Sequence, residues 1–150
     1  MRLQRILIVD DEPGLVKMLE TILRKEGYTS ISSAFTGQEA MEKINRNPYD
    51  LIVLDVMLPD TDGFQLCQEI RQHTNVPILF LTARSGDLDK LTGLGIGGDD
   101  YITKPFNRLE VAARINVQFR RQEQYQKATQ VVEVYNFGSV VIDRKAAQLW

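Results

Sequence analysis

The chain has a single cysteine among its 150 residues, Cys67, so no internal disulfide can form. Its helical setting reads as a small packing residue rather than a nucleophile. Long apolar runs are missing too: none approaches the roughly 18 consecutive residues that a membrane span requires. The amino terminus enters strand pattern directly, with no signal-peptide layout. A cytoplasmic location with no membrane contact is therefore expected. Charge of one sign is not in excess, since 18 basic residues against 20 acidic ones leave a net charge of −2. That balance excludes a domain that grips nucleic acid through charge alone. The one histidine, His73, stands at a helix end between Gln72 and Thr74 and reads as a dipole partner rather than a catalyst. There are no internal repeats. No G-x-G-x-x-G or G-x-x-x-x-G-K follows the first strand pattern, so the phosphate-cradling loop of a flavin or nucleotide carrier is lacking.

What is present is one soluble domain's worth of core. Hydrophobic residues make up 43% and charged residues 25%, a globular mixture, and the length suits one well-buried domain but not two ordinary ones. Apolar runs of strand length alternate with segments of helical period, the pattern of a parallel sheet covered on both faces. Strands are predicted near 5–9, 29–34, 51–54, 77–81 and 100–103. Leu15, Met18, Leu19, Ile22 and Leu23 form the buried stripe of a first helix, with Pro13 in its first turn and Gly27 just past its end. Thr36 with Glu39 makes a capping-box pattern for a second helix to about Arg46, and Asp62 can cap a third through Ile70. A fourth helix near 86–97 carries Gly86, Gly93, Gly95 and Gly97, each costing about 1 kcal/mol relative to alanine, and should be the weakest. Asn107 can cap a fifth.

The chemistry is predicted at the strand ends. In an open, doubly wound sheet, ligands bind beyond the carboxyl ends of the strands where strand order reverses. Asp10 and Asp11 follow the first strand, Asp55 the third, Thr82 the fourth and Lys104 the fifth. In the flavodoxin-like order 2-1-3-4-5 the first and third strands are neighbours, so three carboxylates meet in one crevice. They repel unless a cation or a raised pKa relieves them, and oxygen-only ligands suit Mg²⁺. Asp55 can then act as a nucleophile toward phosphorus, with Lys104 pairing with the phosphoryl oxygens and Thr82 hydrogen-bonding one of them after transfer. Taken singly, each feature has a plainer reading: Asp10-Asp11 as a loop or cap, Glu12 as part of a helix start, Thr82 as a strand-end threonine, and Lys104-Pro105 as a solvated loop.

The acidic pair Asp10-Asp11 is joined by three further motifs. They are Leu54-Asp55-Val56-Met57-Leu58-Pro59 with Asp62-Gly63, Thr82-Ala83, and Tyr101-Ile102-Thr103-Lys104-Pro105-Phe106. Together these motifs resemble the receiver domain of two-component response regulators, from residue 3 to about 120. The resemblance implies that Asp11, Asp55 and the Met57 carbonyl ligate Mg²⁺ and that Asp10 acts through water. It implies that the Lys104-Pro105 peptide is cis, and that a sensor histidine kinase phosphorylates Asp55. It implies that Thr82 moves toward the phosphoryl group while Tyr101 swings inward behind it. The protein would catalyse only its own phosphorylation and dephosphorylation. Two departures stand out: the glycines of Gly95-Ile96-Gly97-Gly98, which should loosen the fourth helix, and Asp60-Thr61, expected to matter little.

The tail, Val134-Tyr135-Asn136-Phe137-Gly138-Ser139-Val140-Val141-Ile142-Asp143, is similar to the start of the winged-helix transcriptional class. The expected organisation is a receiver over 1–121, a linker over 122–132 and a β fragment of a DNA-binding domain over 133–150. The chain reads as truncated, with DNA contacted only through the missing remainder. That class homodimerises on phosphorylation through the fourth helix, fifth strand and fifth helix. Lys90, Asp99, Asp100, Glu110, Arg114 and Arg121 stand where it forms intermolecular ion pairs, although Glu110 and Arg114 equally suit an i,i+4 pair on one helix. Two rivals remain. An aspartyl-nucleophile phosphatase would resemble Asp-x-Asp, but Met57 stands where the second acid belongs. A degenerate, contact-only receiver sits badly with five intact site residues.

Overall fold

The computed structural model describes residues 2–83 and 100–139, with side chains through Gln124. Five strands, β1 (Arg2–Val9), β2 (Tyr28–Ala34), β3 (Leu51–Asp55), β4 (Ile78–Thr82) and β5 (Asp100–Thr103), pair in parallel in the order β2-β1-β3-β4-β5. Between them lie α1 (Pro13–Lys25), α2 (Gly37–Arg46) and α3 (Gly63–Arg71), and α4 (Arg108–Ser139) follows β5. The order and the parallel pairing agree with the doubly wound architecture expected from the sequence. Because β2 lies to one side of β1 and β3 to the other, right-handed crossovers put α1 on one face and α2 and α3 on the opposite one.

Strand alternation sends Leu7, Val9, Ile52, Leu54, Ile78 and Phe80 to one face, where they form a core with Ala40, Phe64, Leu66, Cys67 and Ile70 of α2 and α3. The Phe64 and Phe80 rings meet at 5.5 Å between centroids. Their neighbours Ile6, Ile8, Val53, Leu79 and Leu81 are equally buried toward the other face. A sheet covered on both sides needs such continuous apolar strands, and only the residues at the strand ends escape that demand.

The helix boundaries follow local chemistry. Pro13 occupies the first turn of α1, and Gly27 after its end adopts φ 98°, a backbone region that L side chains avoid. At α2 the Thr36 hydroxyl accepts from Glu39 N–H at 3.0 Å, and the Glu39 carboxylate reaches back to Phe35 N–H at 2.8 Å. The capping box therefore closes one residue earlier than its usual form. Asp62 caps α3 through Gln65 N–H and Asn107 caps α4 through Glu110 N–H, each at 2.7 Å.

The carboxyl-terminal segment departs from the sequence expectation. Where a linker over 122–132 and a strand from 133 were predicted, the backbone continues as α4 to Ser139. No proline interrupts 108–139 and no glycine occurs before Gly138, while Arg120 to Ala128 is rich in strong helix formers. Contacts divide the chain into two units, residues 1–114 and 115–150, with the division inside α4. The predicted fourth helix, 86–97, and residues 140–150 lie outside the described residues. Among the described residues no helix is long and apolar enough to cross a membrane.

Candidate functional site

Each acid reaches the rim because its strand's ladder carries it there. Asp10 N–H donates to the Ala34 carbonyl at 3.1 Å, extending the β1–β2 pairing one residue past β1. Asp55 is the last residue of β3, and Val56 N–H donates to the Leu81 carbonyl at 3.0 Å. Lys104 N–H donates to the carbonyl of Thr82, the last residue of β4, at 2.7 Å, so the lysine leaves the sheet at the same rim. The Lys104-Pro105 peptide is cis.

These paths converge. One oxygen each from Asp10, Asp11 and Asp55 lie within 4.8 Å of one another, and among the described residues no other acids, histidines or cysteines form such a group. Lys104 Nζ sits between Asp10 Oδ2 at 3.3 Å and Asp55 Oδ2 at 3.2 Å. It also lies 3.6 Å from Glu12 Oε1, so the residue read as a helix start faces the site as well. The remaining oxygens are held by the backbone: Glu12 N–H donates to Asp10 Oδ1 at 2.9 Å and Met57 N–H to Asp55 Oδ1 at 3.1 Å.

Burial sets the electrostatics. Asp10 is fully buried, Asp55 nearly so, and Asp11 is exposed. The Asp10 carboxyl is raised to about 6, chiefly by loss of water and further by the Asp55 charge, against the lowering effects of the Glu12 N–H and the Lys104 ammonium. Burial disfavours the Lys104 ammonium, but Asp55 and Asp10 outweigh that and raise its pKa above the ordinary lysine value. The three clustered carboxylates against one ammonium leave a formal excess of two negative charges once Asp10 is ionised, and Glu12 at the edge adds a third. An all-oxygen donor set with that excess fits a hard divalent cation such as Mg²⁺.

The loop from β3 to α3 shapes the cup. Met57 and Asp62 form an isolated antiparallel bridge, with Leu58 N–H donating to the Thr61 carbonyl at 3.2 Å. Gly63 N–H donates to the Val56 carbonyl at 2.6 Å, and a Cβ at Gly63 would collide with the Asp55 carbonyl oxygen and come within 2.8 Å of Val56 Cα. Glycine is required there for close approach. Sequence reasoning noticed Gly63 as a motif member without its physical role.

Asp60, expected from the sequence to matter little, makes contacts that its place in a turn did not announce. Its carboxylate accepts from Gly37 N–H at 2.8 Å and Gln38 N–H at 3.0 Å, the first turn of α2. Those two bonds hold its carboxyl below the ordinary value. The signal available in the sequence was an acid at a turn, with the capped helix 22 to 23 residues away.

Thr82 is fully buried, whereas Tyr101 is 40% exposed with the Arg114 guanidinium 5.8 Å from its ring centroid. Arg114 pairs within the chain with Asp100 at 2.8 Å and with Glu110 at 3.3 Å, and the hydrogen bond to Asp100 raises its pKa. Arg121 is exposed farther along α4, while Lys90 and Asp99 lie outside the described residues.

Comparison with known proteins follows the same lines. The sequence matches the family described as the response regulator receiver domain over residues 6–116. It is 47% identical over 144 residues to the transcriptional regulatory protein YvrH of Bacillus subtilis, a match covering 96% of this chain and 60% of that protein. It is 46% identical to the regulatory protein VanRc of Enterococcus gallinarum, covering 93% of this chain and 61% of that one. The chain thus spans about three fifths of the length of these relatives. Among solved structures, a two-component response regulator from Clostridium difficile matches with a TM-score of 0.74 at 39% identity, over 79% of this chain and 98% of that one. The response regulator TrrA of Thermotoga maritima, solved in complex with Mg(2+)-BeF, matches with a TM-score of 0.71 at 35% identity, over 77% and 99%.

Proposed function

The chain belongs to the response regulator receiver domain family, and from that premise we propose that it accepts a phosphoryl group on Asp55 from a sensor histidine kinase in a Mg²⁺-dependent reaction. The observation that carries this reading is the single ammonium of Lys104 bridging Asp10 and Asp55 inside a cluster of three acids. Asp11, Asp55 and the Met57 carbonyl would hold the ion directly and Asp10 through water. When bound, Mg²⁺ supplies positive charge against the transferred oxygens.

The work of the protein is otherwise placement. A carboxylate oxygen of Asp55 attacks phosphorus as the bond from phosphorus to the donor imidazole nitrogen breaks, and the electron pair leaves with the imidazole. Lys104 follows the charge from the Asp55 carboxylate onto the phosphoryl oxygens, a short move for a flexible side chain already 3.2 Å away. Thr82, at the end of the adjacent strand, donates its hydroxyl to one phosphoryl oxygen after transfer. Tyr101, partly exposed in this structure, turns inward behind it and changes the surface made by the segment 86–97, β5 and α4. That surface pairs two copies, with Lys90, Asp99, Asp100, Glu110, Arg114 and Arg121 exchanging partners between them. Release of the Arg114 pairs to Asp100 and Glu110 precedes that exchange.

The protein in this reading is a cytoplasmic switch whose only catalysis is its own phosphorylation and dephosphorylation. Residues from about 133 onward open a DNA-binding output region, as the names of the transcriptional relatives suggest. Incubation with Mg²⁺ and acetyl phosphate followed by intact mass measurement tests the chemistry. A labile gain of one phosphoryl group is expected, absent without the ion and absent in Asp55→Ala. No gain in the wild type would favour a receiver that acts through contacts alone. Sedimentation with and without a beryllofluoride phosphoryl mimic tests the pairing, and a shift toward dimer is the expected result.

A further inference from the structure

We infer that Asp60 is a positioning residue for the phosphoacceptor site, clamping the turn that carries the Met57 carbonyl onto the amino terminus of α2. The inference rests on the reading of that carbonyl as a Mg²⁺ ligand and goes beyond it by naming what holds the carbonyl in place.

The turn between Met57 and Asp62 is short and mostly solvent-facing: Met57, Pro59 and Asp60 are exposed. Its base is tied by Met57 opposite Asp62 and by Gly63 N–H on the Val56 carbonyl. Within itself it is tied by Leu58 N–H on the Thr61 carbonyl and by the Leu58 side chain packed against the core, and it is tied to α2 by Asp60, whose two carboxylate oxygens take one backbone N–H each from Gly37 and Gln38. The post to which it is tied is firm. Ala40 of α2 is fully buried in the core, and the Lys43 ammonium donates to the Ser33 carbonyl of β2.

Two further facts separate this clamp from an ordinary helix cap. Thr36 caps the Glu39 N–H, while the Gly37 and Gln38 N–H groups are taken by Asp60 from 22 to 23 residues away, so this cap also ties two distant segments together. The fit is also close, since a Cβ at Gly37 would stand 2.6 Å from Thr61 Cγ2 and 3.4 Å from Asp60 Oδ1. The first turn of α2 and the tip of the loop are therefore seated against each other. Because Leu58 N–H bonds the Thr61 carbonyl, a loop released from α2 shifts as a unit and carries the Met57 carbonyl with it, and a metal-binding oxygen that must be gathered on binding costs affinity.

The experiment compares Mg²⁺ binding by titration calorimetry in wild type, Asp60→Ala, Asp60→Asn and Thr36→Ala, with circular dichroism to verify folding. Asp60→Ala should bind Mg²⁺ about tenfold more weakly, the size of effect that residues supporting a metal ligand commonly have. Asp60→Asn, which keeps an acceptor oxygen, should fall between the two. Thr36→Ala weakens the same helix end without touching the loop, so it should lower the melting temperature yet leave Mg²⁺ affinity near wild type. In acetyl phosphate assays the Asp60→Ala defect should lie in the Mg²⁺ concentration for half-maximal rate, with the rate at saturating Mg²⁺ retained. Wild-type affinity in Asp60→Ala, or an equal loss in Thr36→Ala, overturns the clamp while leaving the phosphoacceptor reading intact. Failure of the wild type to bind Mg²⁺ at all overturns that reading, and the clamp with it.

Discussion

The two ends of the same sheet treat charge differently. At the amino rim, Arg5 N–H donates to Asp50 Oδ2 and Asp50 N–H returns a bond to the Arg5 carbonyl, both at 2.7 Å. The Arg5 guanidinium lies 5.7 Å from the Tyr49 ring centroid and that of Arg2 lies 5.0 Å from the Tyr28 ring centroid, with Arg2 also donating to the Tyr28 hydroxyl at 3.1 Å. Nearby lies a cavity of about 240 Å³ lined by Ile44, Tyr49, Ile52, His73 and Val76. The guanidiniums there lie against aromatic rings and the Asp50 carboxylate takes a backbone N–H, each group with a partner close in space. At the carboxyl rim three acids share one lysine, and the deepest of them is held near pH 6. One rim is arranged for stability. The other keeps an electrostatic imbalance that a cation and a phosphoryl group can use.

Substituting one glycine at each rim tests this contrast most strongly. Gly63→Ala at the carboxyl rim pushes a methyl group against the backbone of Asp55 and Val56, which cannot step aside. It should destabilise by about 3 kcal/mol in denaturant unfolding, near the upper end for overpacking, and should impair phosphoryl acceptance as well. Loss of stability with normal phosphorylation would break the link between that close approach and the site.

Titration comes next in size. The folded Asp10 carboxyl sits near 6 against an ordinary value of 3.8, so its contribution to stability is fully present below 3.8 and is lost as pH rises through 6. Without divalent ions, wild type should therefore lose about 2 kcal/mol relative to Asp10→Asn between pH 4 and 7. Parallel stability curves for the two proteins would remove the imbalance argued for this rim. The smallest effect belongs to the amino rim, where Gly27→Ala meets only ordinary contacts with Arg2, the nearest at 3.6 Å, but must hold φ 98°. A cost of about 1 kcal/mol is expected, with Mg²⁺ affinity and phosphorylation unchanged.

Strands and caps were legible because their signals are local. Apolar runs ending in Asp10, Asp55 and Thr82 mark the strand ends, and Thr36, Asp62 and Asn107 announce helices by residue type alone. Assembly of the acids was legible once the strand order was assumed. What escaped depends on partners far along the chain or on context. Asp60 makes its bonds to a helix more than twenty residues earlier, so a turn residue gave no hint of them. The Glu110–Arg114 pair was offered by i,i+4 spacing beside the intermolecular reading, whereas the Asp100–Arg114 pair, fourteen residues apart, had no local signal. In the tail, Val131-Val132-Glu133-Val134 favours strand by side chain, whereas the backbone there is helical through Ser139.

The bonds from Lys104 to Asp10 and Asp55 cross 94 and 49 residues of sequence. No fragment, nascent chain or heat-loosened copy can bring those three groups together without nearly the whole sheet. A damaged molecule therefore loses the clustered charge itself, so the phosphoryl acceptance proposed for Asp55 would have integrity of the fold as its condition.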